Sequence, residues 1–232
     1  MRRGGGTGLA GRGLKTRVRT ARGRSASATR WLQRQLDDPY VAEAGTRGYR
    51  SRAAFKLAQM DDRFRFLKPG ARVVDLGAAP GAWTQVALER AGKKGRVVAI
   101  DLVAMDPLPG AILLTGDVLA ADAPARLKAA LAGPADVVLS DMAPPATGHA
   151  PTDHLRVMAL AEAALDFAEA VLGPGGSFVA KVLQGGTESE LLARIKRGFA
   201  KVRHVKPPAS RAESAELYLV ARGYRGGEGA AE

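Results

Sequence analysis

The sequence predicts an α/β protein built on a largely parallel β-sheet, with helices on both faces and a terminal antiparallel pair of strands. Two observations support this fold class. Short apolar segments alternate with longer helical segments from residue 73 onward, and the first four apolar segments each bring an aspartate to one edge of the sheet. Repeated strand–helix units form parallel sheets, because right-handed crossovers return the chain to the same edge. A chain of 232 residues is long enough for one domain with a sizeable core.

The first strand–turn–helix unit, residues 73–83, is the segment around which the prediction is built. Residues 73–76 are apolar apart from Asp75, as in a strand that is covered on both faces. Gly77 and Gly81 allow the backbone to turn and a ligand to come close, and the helix that follows offers free N–H groups. Nucleotide-like ligands bind at this turn in doubly wound folds. The Gly-x-x-x-Gly spacing alone is also compatible with a tight turn that binds nothing.

The aspartates at the strand ends strengthen the ligand hypothesis. Strands are predicted at residues 73–76, 96–101, 111–115 and 137–140, and the acids associated with them are Asp75, Asp101, Asp117 and Asp141. Asp101 follows the first strand by roughly 20 residues, the spacing at which a carboxylate reaches ribose hydroxyls. A single aspartate could be a helix cap or a turn residue. Four at one edge predict a polar pocket.

The remaining elements continue the alternation. Helices are predicted over residues 27–36, 85–91, 121–131, 152–172 and 188–200, and further strands over 177–183, 201–206 and 216–221. The last two strands form the antiparallel pair around a loop at 207–215. The folded domain is predicted over residues 29–225, between an N-terminal arm at 1–28 and a flexible tail at 226–232.

Composition restricts the class of partner. The net charge of +12 indicates a polyanion, nucleic acid before anionic membrane. The absence of cysteine excludes disulfides and thiolate metal sites and suits a reducing cytoplasm, which is the predicted location. No apolar run reaches the ~18–20 residues that span a membrane, so no membrane partner is predicted. His149, His154 and His204 show no ligand spacing, so no metal site is predicted.

Two basic segments suggest where a polyanion could bind. Residues 1–28 contain eight Lys or Arg and no acid, and they are too polar to bury a core. This arm could be a solvated tail, an electrostatic arm on RNA phosphates, or a mitochondrial presequence, although its Gly content opposes an amphipathic helix. The second segment, residues 47–57, interleaves Arg47, Arg50 and Lys56 with aromatic rings. It suits an RNA surface or a solvated helix face.

Lys181 interrupts the otherwise apolar strand at residues 177–183. Lysine is rarely buried without a partner. The side chain could lie near an edge and extend to water. It could also be a catalytic lysine, because burial readily changes the protonation of an amine.

Five segments together resemble the FtsJ-type ribosomal RNA 2′-O-ribose methyltransferases, the large-subunit methyltransferase E group. They are SRAAFKL at residues 51–57, VDLGAAPGAW at 74–83, SDMAP at 140–144, GGSFVAKV at 175–182 and SRAESAELY at 210–218. All five occur in the family's order and spacing, and the resemblance runs from about residue 30 to residue 224. It implies a Rossmann-like, seven-stranded methyltransferase fold that uses S-adenosylmethionine.

The resemblance also implies the site residues. A Lys-Asp-Lys-Glu catalytic tetrad falls on Lys56, Asp141, Lys181 and Glu216. Cofactor positions fall on Gly81, Trp83, Asp101, Asp117 and Asp141. In this scheme Lys181 acts on the ribose 2′-hydroxyl, while Asp141 and Glu216 orient it and Lys56 holds RNA or tunes the lysine. Asp101 binds the cofactor ribose and Asp117 the adenine.

The implied substrate is the A-loop uridine of 23S rRNA in the large ribosomal subunit, and the implied partner is this rRNA, bound by a monomer. Four features depart from the family pattern: Ala82 in place of a second Gly, Pro145 in place of Asn, Glu213 in place of a basic residue, and a longer arm richer in Gly and Arg. Three alternatives stay open. A tRNA ribose methyltransferase would share the fold, a nicotinamide oxidoreductase would need a second fingerprint Gly and a hydride-transfer acid/base pair, and a non-enzymatic RNA-binding module would not need the tetrad.

Overall fold

The computed structural model describes residues 35–145, 147–184 and 189–226, together with Ser25, Thr29, Leu32 and Gln33. The predicted arm, apart from Ser25, and residues 227–232 of the predicted tail lie outside the described residues. The predicted helix at 27–36 is described in part: Thr29, Leu32, Gln33 and residues 35–36 are helical.

Seven strands form one sheet, as predicted. They are β1 (Arg72–Leu76), β2 (Arg96–Asp101), β3 (Ala111–Thr115), β4 (Ala135–Ser140), β5 (Leu172–Leu183), β6 (Phe199–Val205) and β7 (Glu216–Tyr224). Their order in the sheet is β3-β2-β1-β4-β5-β7-β6. The first five pair in parallel, whereas β7 lies between β5 and β6 and runs antiparallel to both. The mostly parallel sheet with an antiparallel end is therefore confirmed.

Helices cover both faces of this sheet. They are α1 (Pro39–Arg47), α2 (Ala53–Phe64), α3 (Ala82–Ala91), α4 (Ala123–Leu131), α5 (Ala150–Val171) and α6 (Ser189–Gly198). One face packs against α2 and α3 through residues such as Leu57 and Val86. The other face packs against α4, α5 and α6 through residues such as Leu127, Leu165 and Ile195.

Three elements differ from the prediction. Helix α2 was anticipated only as one alternative for residues 47–57, a solvated helix face, and it extends to Phe64. Helix α1 was not predicted, although its signals are present: the Asp38 side chain accepts a hydrogen bond from the Tyr40 amide, and Gly48 ends the helix in the left-handed region. Strand β5 begins at Leu172 rather than at residue 177, because Leu172 already pairs with Ala135 of β4. The Gly-Pro-Gly-Gly stretch at residues 173–176, which lies between the predicted helix and the predicted strand, is therefore part of an irregular strand.

The register of the central strands collects the aspartates at one edge. Leu76, the last residue of β1, lies beside Ile100 of β2 and Ser140 of β4. Asp101 is paired with Thr115 in the same way. Since parallel strands end at the same edge, the residues that follow them face one shared region. This is the edge at which open α/β sheets bind ligands.

Candidate active site

The four residues of the predicted tetrad lie together at this edge. Lys56 Nζ is 2.7 Å from Glu216 Oε1. Lys181 Nζ is 2.8 Å from Asp141 Oδ1 and 3.9 Å from Glu216 Oε2. A further hydrogen bond of 2.8 Å runs from Lys181 Nζ to the Asp141 carbonyl oxygen. The two lysines and two carboxylates thus form one continuous, alternating network.

The antiparallel end of the sheet explains how residues so distant in sequence meet. In the β5–β7 ladder Lys181 lies opposite Tyr218, and Leu183 lies opposite Glu216. Cross-strand partners point to the same face, and so do residues two apart on one strand. Lys181, Tyr218 and Glu216 therefore share the face against which α2 packs, and α2 carries Lys56.

Tyr218 is part of this network, a role that the sequence reasoning missed. Its side chain is fully buried, and its hydroxyl donates a hydrogen bond of 2.7 Å to Asp141 Oδ1. The same hydroxyl accepts a hydrogen bond of 3.3 Å from Lys56 Nζ. Burial raises the pKa of Tyr218 well above its ordinary value, and the charges of Asp141 and Glu216 act in the same direction. Tyr218 is therefore a neutral donor that fixes the Asp141 carboxylate.

Glu216 is held as an anion. Burial alone would raise the pKa of its carboxyl, but the charge and hydrogen bond of Lys56, together with the charge of Lys181, outweigh burial and lower it. Ser210 Oγ donates a further hydrogen bond of 2.9 Å to Glu216 Oε1. A buried carboxylate satisfied in this way can hold two lysines in fixed positions.

A cavity of about 530 Å³ adjoins the tetrad along the sheet edge. Its walls include Gly77, Asp101, Asp117 and Asp141, and Leu102 and Leu119 contribute apolar surface. Such a mixed lining and size suit a ligand as large as a nucleoside. Asp141 belongs both to this cavity and to the tetrad, so a ligand bound in the cavity would lie next to Lys181.

The two middle aspartates are positioned by backbone hydrogen bonds. Asp101 Oδ2 accepts from the Ala79 amide at 2.9 Å, and Oδ1 accepts from the Val103 amide at 2.8 Å. Asp117 Oδ1 accepts from the Leu119 amide at 2.9 Å. Each carboxylate oxygen has a second lone pair, so these bonds orient the acids without exhausting their capacity to accept from a ligand.

Asp75 carries an unsatisfied buried oxygen. The residue is 0% exposed, and Thr84 Oγ1 donates to its Oδ2 at 2.6 Å. Its Oδ1 has no hydrogen-bond partner among the described residues. The pKa of Asp75 is raised to about 7, chiefly by burial and also by the charges of Asp141 and Asp101, against the opposing effect of the Thr84 hydrogen bond.

Asp75 also lines a small second cavity, together with Gly77, Trp83 and Asp141. An unpaired buried carboxylate oxygen costs of order 1–3 kcal/mol. A positively charged ligand group that entered this cavity would remove that cost. The sequence analysis placed Asp75 at the edge but did not include it among the cofactor residues, since no local pattern reveals an unsatisfied atom.

Gly81 and Trp83, both predicted cofactor residues, lie at the turn into α3. Gly81 has φ +105°, in the region that favours glycine, and a Cβ there would lie 2.9 Å from Arg50 Nη1. The Trp83 ring is buried, and its indole nitrogen donates to the Ala53 carbonyl at 2.9 Å. Trp83 therefore joins α3 to α2, which carries Lys56, while it also lines the small cavity.

Arg50, predicted as part of an RNA surface or solvated face, makes internal hydrogen bonds instead. Its guanidinium donates to the carbonyl oxygens of Pro80, Asp106 and Pro107, each at 2.9 Å. Pro80 belongs to the Gly turn, and the other two follow β2. Arg50 thus connects the two loops that flank the larger cavity. Arg47 pairs with Glu43 one helical turn away, at 2.7 Å.

The three substituted family positions have different surroundings. Ala82 is buried at the start of α3, where a methyl group is accommodated in the core. Pro145 offers its carbonyl oxygen to Arg156 at 3.0 Å, and Arg156 also lines the larger cavity. Glu213 is exposed in the loop before β7. Arg211 in that loop lies 3.4 Å from Asp38, which connects the loop to the start of α1.

The described residues contain no group of three or more His, Cys, Asp or Glu that could hold a metal ion. Within the same part of the chain, no helix has the length and apolar character needed to cross a membrane.

Comparison with known proteins bears on this site. The family described as FtsJ-like methyltransferase matches residues 49–224. A protein named ribosomal RNA large subunit methyltransferase E from Paramagnetospirillum magneticum is 64% identical over 95% of this chain and 93% of its own length. The protein of that name from Parvibaculum lavamentivorans is 60% identical over 96% and 91%. A ribosomal RNA methyltransferase structure from Plasmodium falciparum has a TM-score of 0.70 at 33% identity, over 77% of this chain and all of that one.

Proposed function

The chain belongs to the FtsJ-like methyltransferase family, and we propose that this methyltransferase transfers a methyl group from S-adenosylmethionine to the 2′-hydroxyl of a uridine ribose. The proposed substrate is the A-loop of 23S rRNA in the large ribosomal subunit. The names of the relatives support a large-subunit rRNA substrate. The observation that carries the proposal is the position of Asp141, which lines the larger cavity and also holds Lys181 Nζ at 2.8 Å.

The residues around the two cavities fit S-adenosylmethionine. Asp101 and Asp117 retain acceptor capacity for the hydroxyls and amino group of an adenosine. The free Oδ1 of Asp75 suits a positively charged group, and S-adenosylmethionine carries an ammonium and a sulfonium. The turn requires glycine at both ends, because Gly77 and Gly81 have positive φ and a Cβ there would meet Met142 and Arg50. When bound there, the cofactor supplies an electrophilic methyl group.

Lys181 is the group proposed to act on the acceptor hydroxyl. As the ribose oxygen forms its bond to the methyl carbon, the carbon–sulfur bond breaks and the hydroxyl proton must leave. A neutral Lys181 amine would accept that proton, while Asp141 and Glu216 hold Nζ in place and stabilise the ammonium that forms. Lys56 offsets the charge of Glu216, and once Lys181 has accepted the proton the tetrad holds two cations and two anions.

The proposal is tested by methyl transfer to large subunits and to 23S rRNA from cells that lack the corresponding enzyme. Labelled S-adenosylmethionine should give one labelled nucleotide, and ribose-methylation mapping should place it on an A-loop uridine. Lys181→Ala should remove the label, whereas Lys128→Ala, an exposed lysine on α4, should retain it. Label found on tRNA, or on a base rather than a ribose, would contradict the proposal.

A further inference from the structure

A third cavity lies where the parallel strands begin, at the opposite end of the strands from the tetrad. It has a volume of about 580 Å³ and is lined by the loop before β1, the starts of β4 and β5, and the end of β7. We call it the basic groove and define it by Arg65, Lys68, Asp136 and Arg222. Strands of five or six residues separate it from the active-site edge, a distance of about 16–20 Å. It is therefore distinct from the cofactor cavity.

The charges that line the basic groove are mostly positive and partly unpaired. Arg65 and Lys68 are exposed, and neither side chain has a hydrogen bond or an ion pair with any described residue. Arg222 Nη1 donates to the Phe64 carbonyl at 2.6 Å, which anchors this guanidinium at the groove without neutralising it. Asp136, the acid among the lining residues, already accepts a hydrogen bond of 2.7 Å from the Arg72 amide.

Two further features at the groove are unfavourable in the free protein. In the β6–β7 ladder Lys201 lies directly opposite Arg222, and like charges in that position repel. Arg65 has φ 54°, in the left-handed region that disfavours a side chain with Cβ. Both features are unfavourable in isolation, and a bound anion would offset the first of them.

The walls of the groove are stiff. Two Pro-Gly pairs line the groove, at residues 69–70 before β1 and 174–175 in the irregular start of β5, and Gly70 and Gly175 have φ +84° and +82°. Proline fixes its own φ, so such segments lose little conformational freedom when a ligand binds. The groove is thus preformed for its ligand.

We propose that the basic groove binds the phosphate backbone of an rRNA segment remote from the methylated nucleotide. This inference rests on the proposed function, because a large folded RNA can contact both edges of the sheet at once. Unpaired lysine and arginine side chains around an open groove suit a phosphate backbone, which they bind without reading sequence. The groove would add affinity and orientation for large rRNA while making no contact with the cofactor.

The test compares Arg65→Gly/Lys68→Ala with a control, Lys93→Ala/Lys94→Ala. The control removes the same charge from an exposed turn outside the groove, at the same edge of the sheet. Binding of a 23S rRNA transcript is measured as a function of salt concentration. The groove variant should lower the slope of log K against log salt by about 1.5, since each lost phosphate contact removes roughly 0.7–0.9. The control should keep the slope of the starting protein.

Further measurements distinguish the groove proposal from its alternatives. Cofactor affinity and thermal stability should not fall in the groove variant, since glycine relieves the backbone strain at residue 65. An unchanged slope in a protein that still methylates 23S rRNA would overturn the groove proposal alone, whereas absence of methylation by the unmodified protein would overturn the proposed function. An equal loss of slope in the control would attribute the effect to net charge and would overturn the groove proposal. Binding of inorganic phosphate at the groove without any change in RNA slope would overturn it as well.

Discussion

Lys181 is the residue on which the proposed chemistry depends. Its Nζ is held by Asp141 at 2.8 Å, so the amine is fixed whether it acts as a base or as a cation that positions the ribose. Lys181→Arg separates these roles, because arginine keeps the charge but cannot give up its proton. We expect Lys181→Arg to lose methyl transfer at least a hundredfold, the lower range of general-base contributions. Single-turnover rates at saturating RNA and cofactor measure the effect.

Cofactor affinity serves as the control for that variant and should stay near that of the starting protein. Substantial methyl transfer by Lys181→Arg would show that the lysine positions the substrate and that the general-base role is wrong.

Asp75 gives a pH dependence that belongs to cofactor binding. Its pKa is raised to about 7 by burial, so the carboxyl changes charge near neutrality. If its free Oδ1 receives a cationic group of S-adenosylmethionine, binding should tighten as pH rises from 6 to 8. Calorimetric titration of the starting protein and of Asp75→Asn measures this. The variant should bind more weakly at pH 8 and should lose the pH dependence; the same dependence in Asp75→Asn would assign it to another group.

The same residue affects the stability of the free protein with a definite sign. The pKa of Asp75 is higher in the folded state than in the unfolded chain, so its contribution favours folding at pH below about 4. That contribution is lost as pH rises toward 7, where ionisation costs at most about 4 kcal/mol. Denaturant unfolding without cofactor should therefore show Asp75→Asn gaining stability relative to the starting protein between pH 5 and pH 8. A constant difference would contradict the raised pKa.

At the scale of elements, Arg50 connects the loop before α2 to the loops that flank the larger cavity. Its guanidinium donates to Pro80 of the Gly turn and to the 106–107 loop after β2. Its backbone amide donates a hydrogen bond of 2.7 Å to Gln85 Oε1 on α3. We expect Arg50→Ala to weaken S-adenosylmethionine binding by about 1–3 kcal/mol, the range for lost hydrogen bonds to a charged donor. Isothermal titration with Arg47→Ala as the matched control tests this. Weakened RNA binding with normal cofactor affinity would restore the original RNA-surface interpretation of Arg50.

The helices and strands were predictable from the sequence where their own apolar pattern marks them, and less so where pairing with a distant strand decides their bounds. The apolar strands β1, β2 and β4 and their terminal acids follow from sequence, because a buried parallel strand has a recognisable composition. Helix α1 was missed because it buries only Ala44 and so presents little of the apolar pattern that marks a core helix. The start of β5 at Leu172 depends on pairing with β4, which glycine and proline in the sequence conceal.

For the whole molecule, the residues of the candidate catalytic tetrad could be named from the sequence, and their surroundings could not. Lys181 interrupts an apolar strand, and the motifs locate Lys56, Asp141 and Glu216, so the tetrad could be assigned before any geometry was known. Tyr218, which donates a hydrogen bond to Asp141 in that network, looks like an ordinary core aromatic in sequence. The free oxygen of Asp75 and the internal role of Arg50 depend on which groups meet in three dimensions, and no spacing in the chain reports that.

The arm at residues 1–28 is the feature of the whole molecule that sequence alone describes. Its eight positive charges without an acid predict phosphate contacts. Deleting it should weaken 23S rRNA binding and lower the slope of log K against log salt by up to about 7, if all eight charges contact phosphates at roughly 0.7–0.9 each. Cofactor affinity should not change, because the tetrad and the two cavities beside it lie within residues 51–218. A matched chain of full length, with glutamine in place of the eight basic residues, should behave like the deletion if charge is the cause. If the deleted chain keeps the original slope, the arm is a solvated tail.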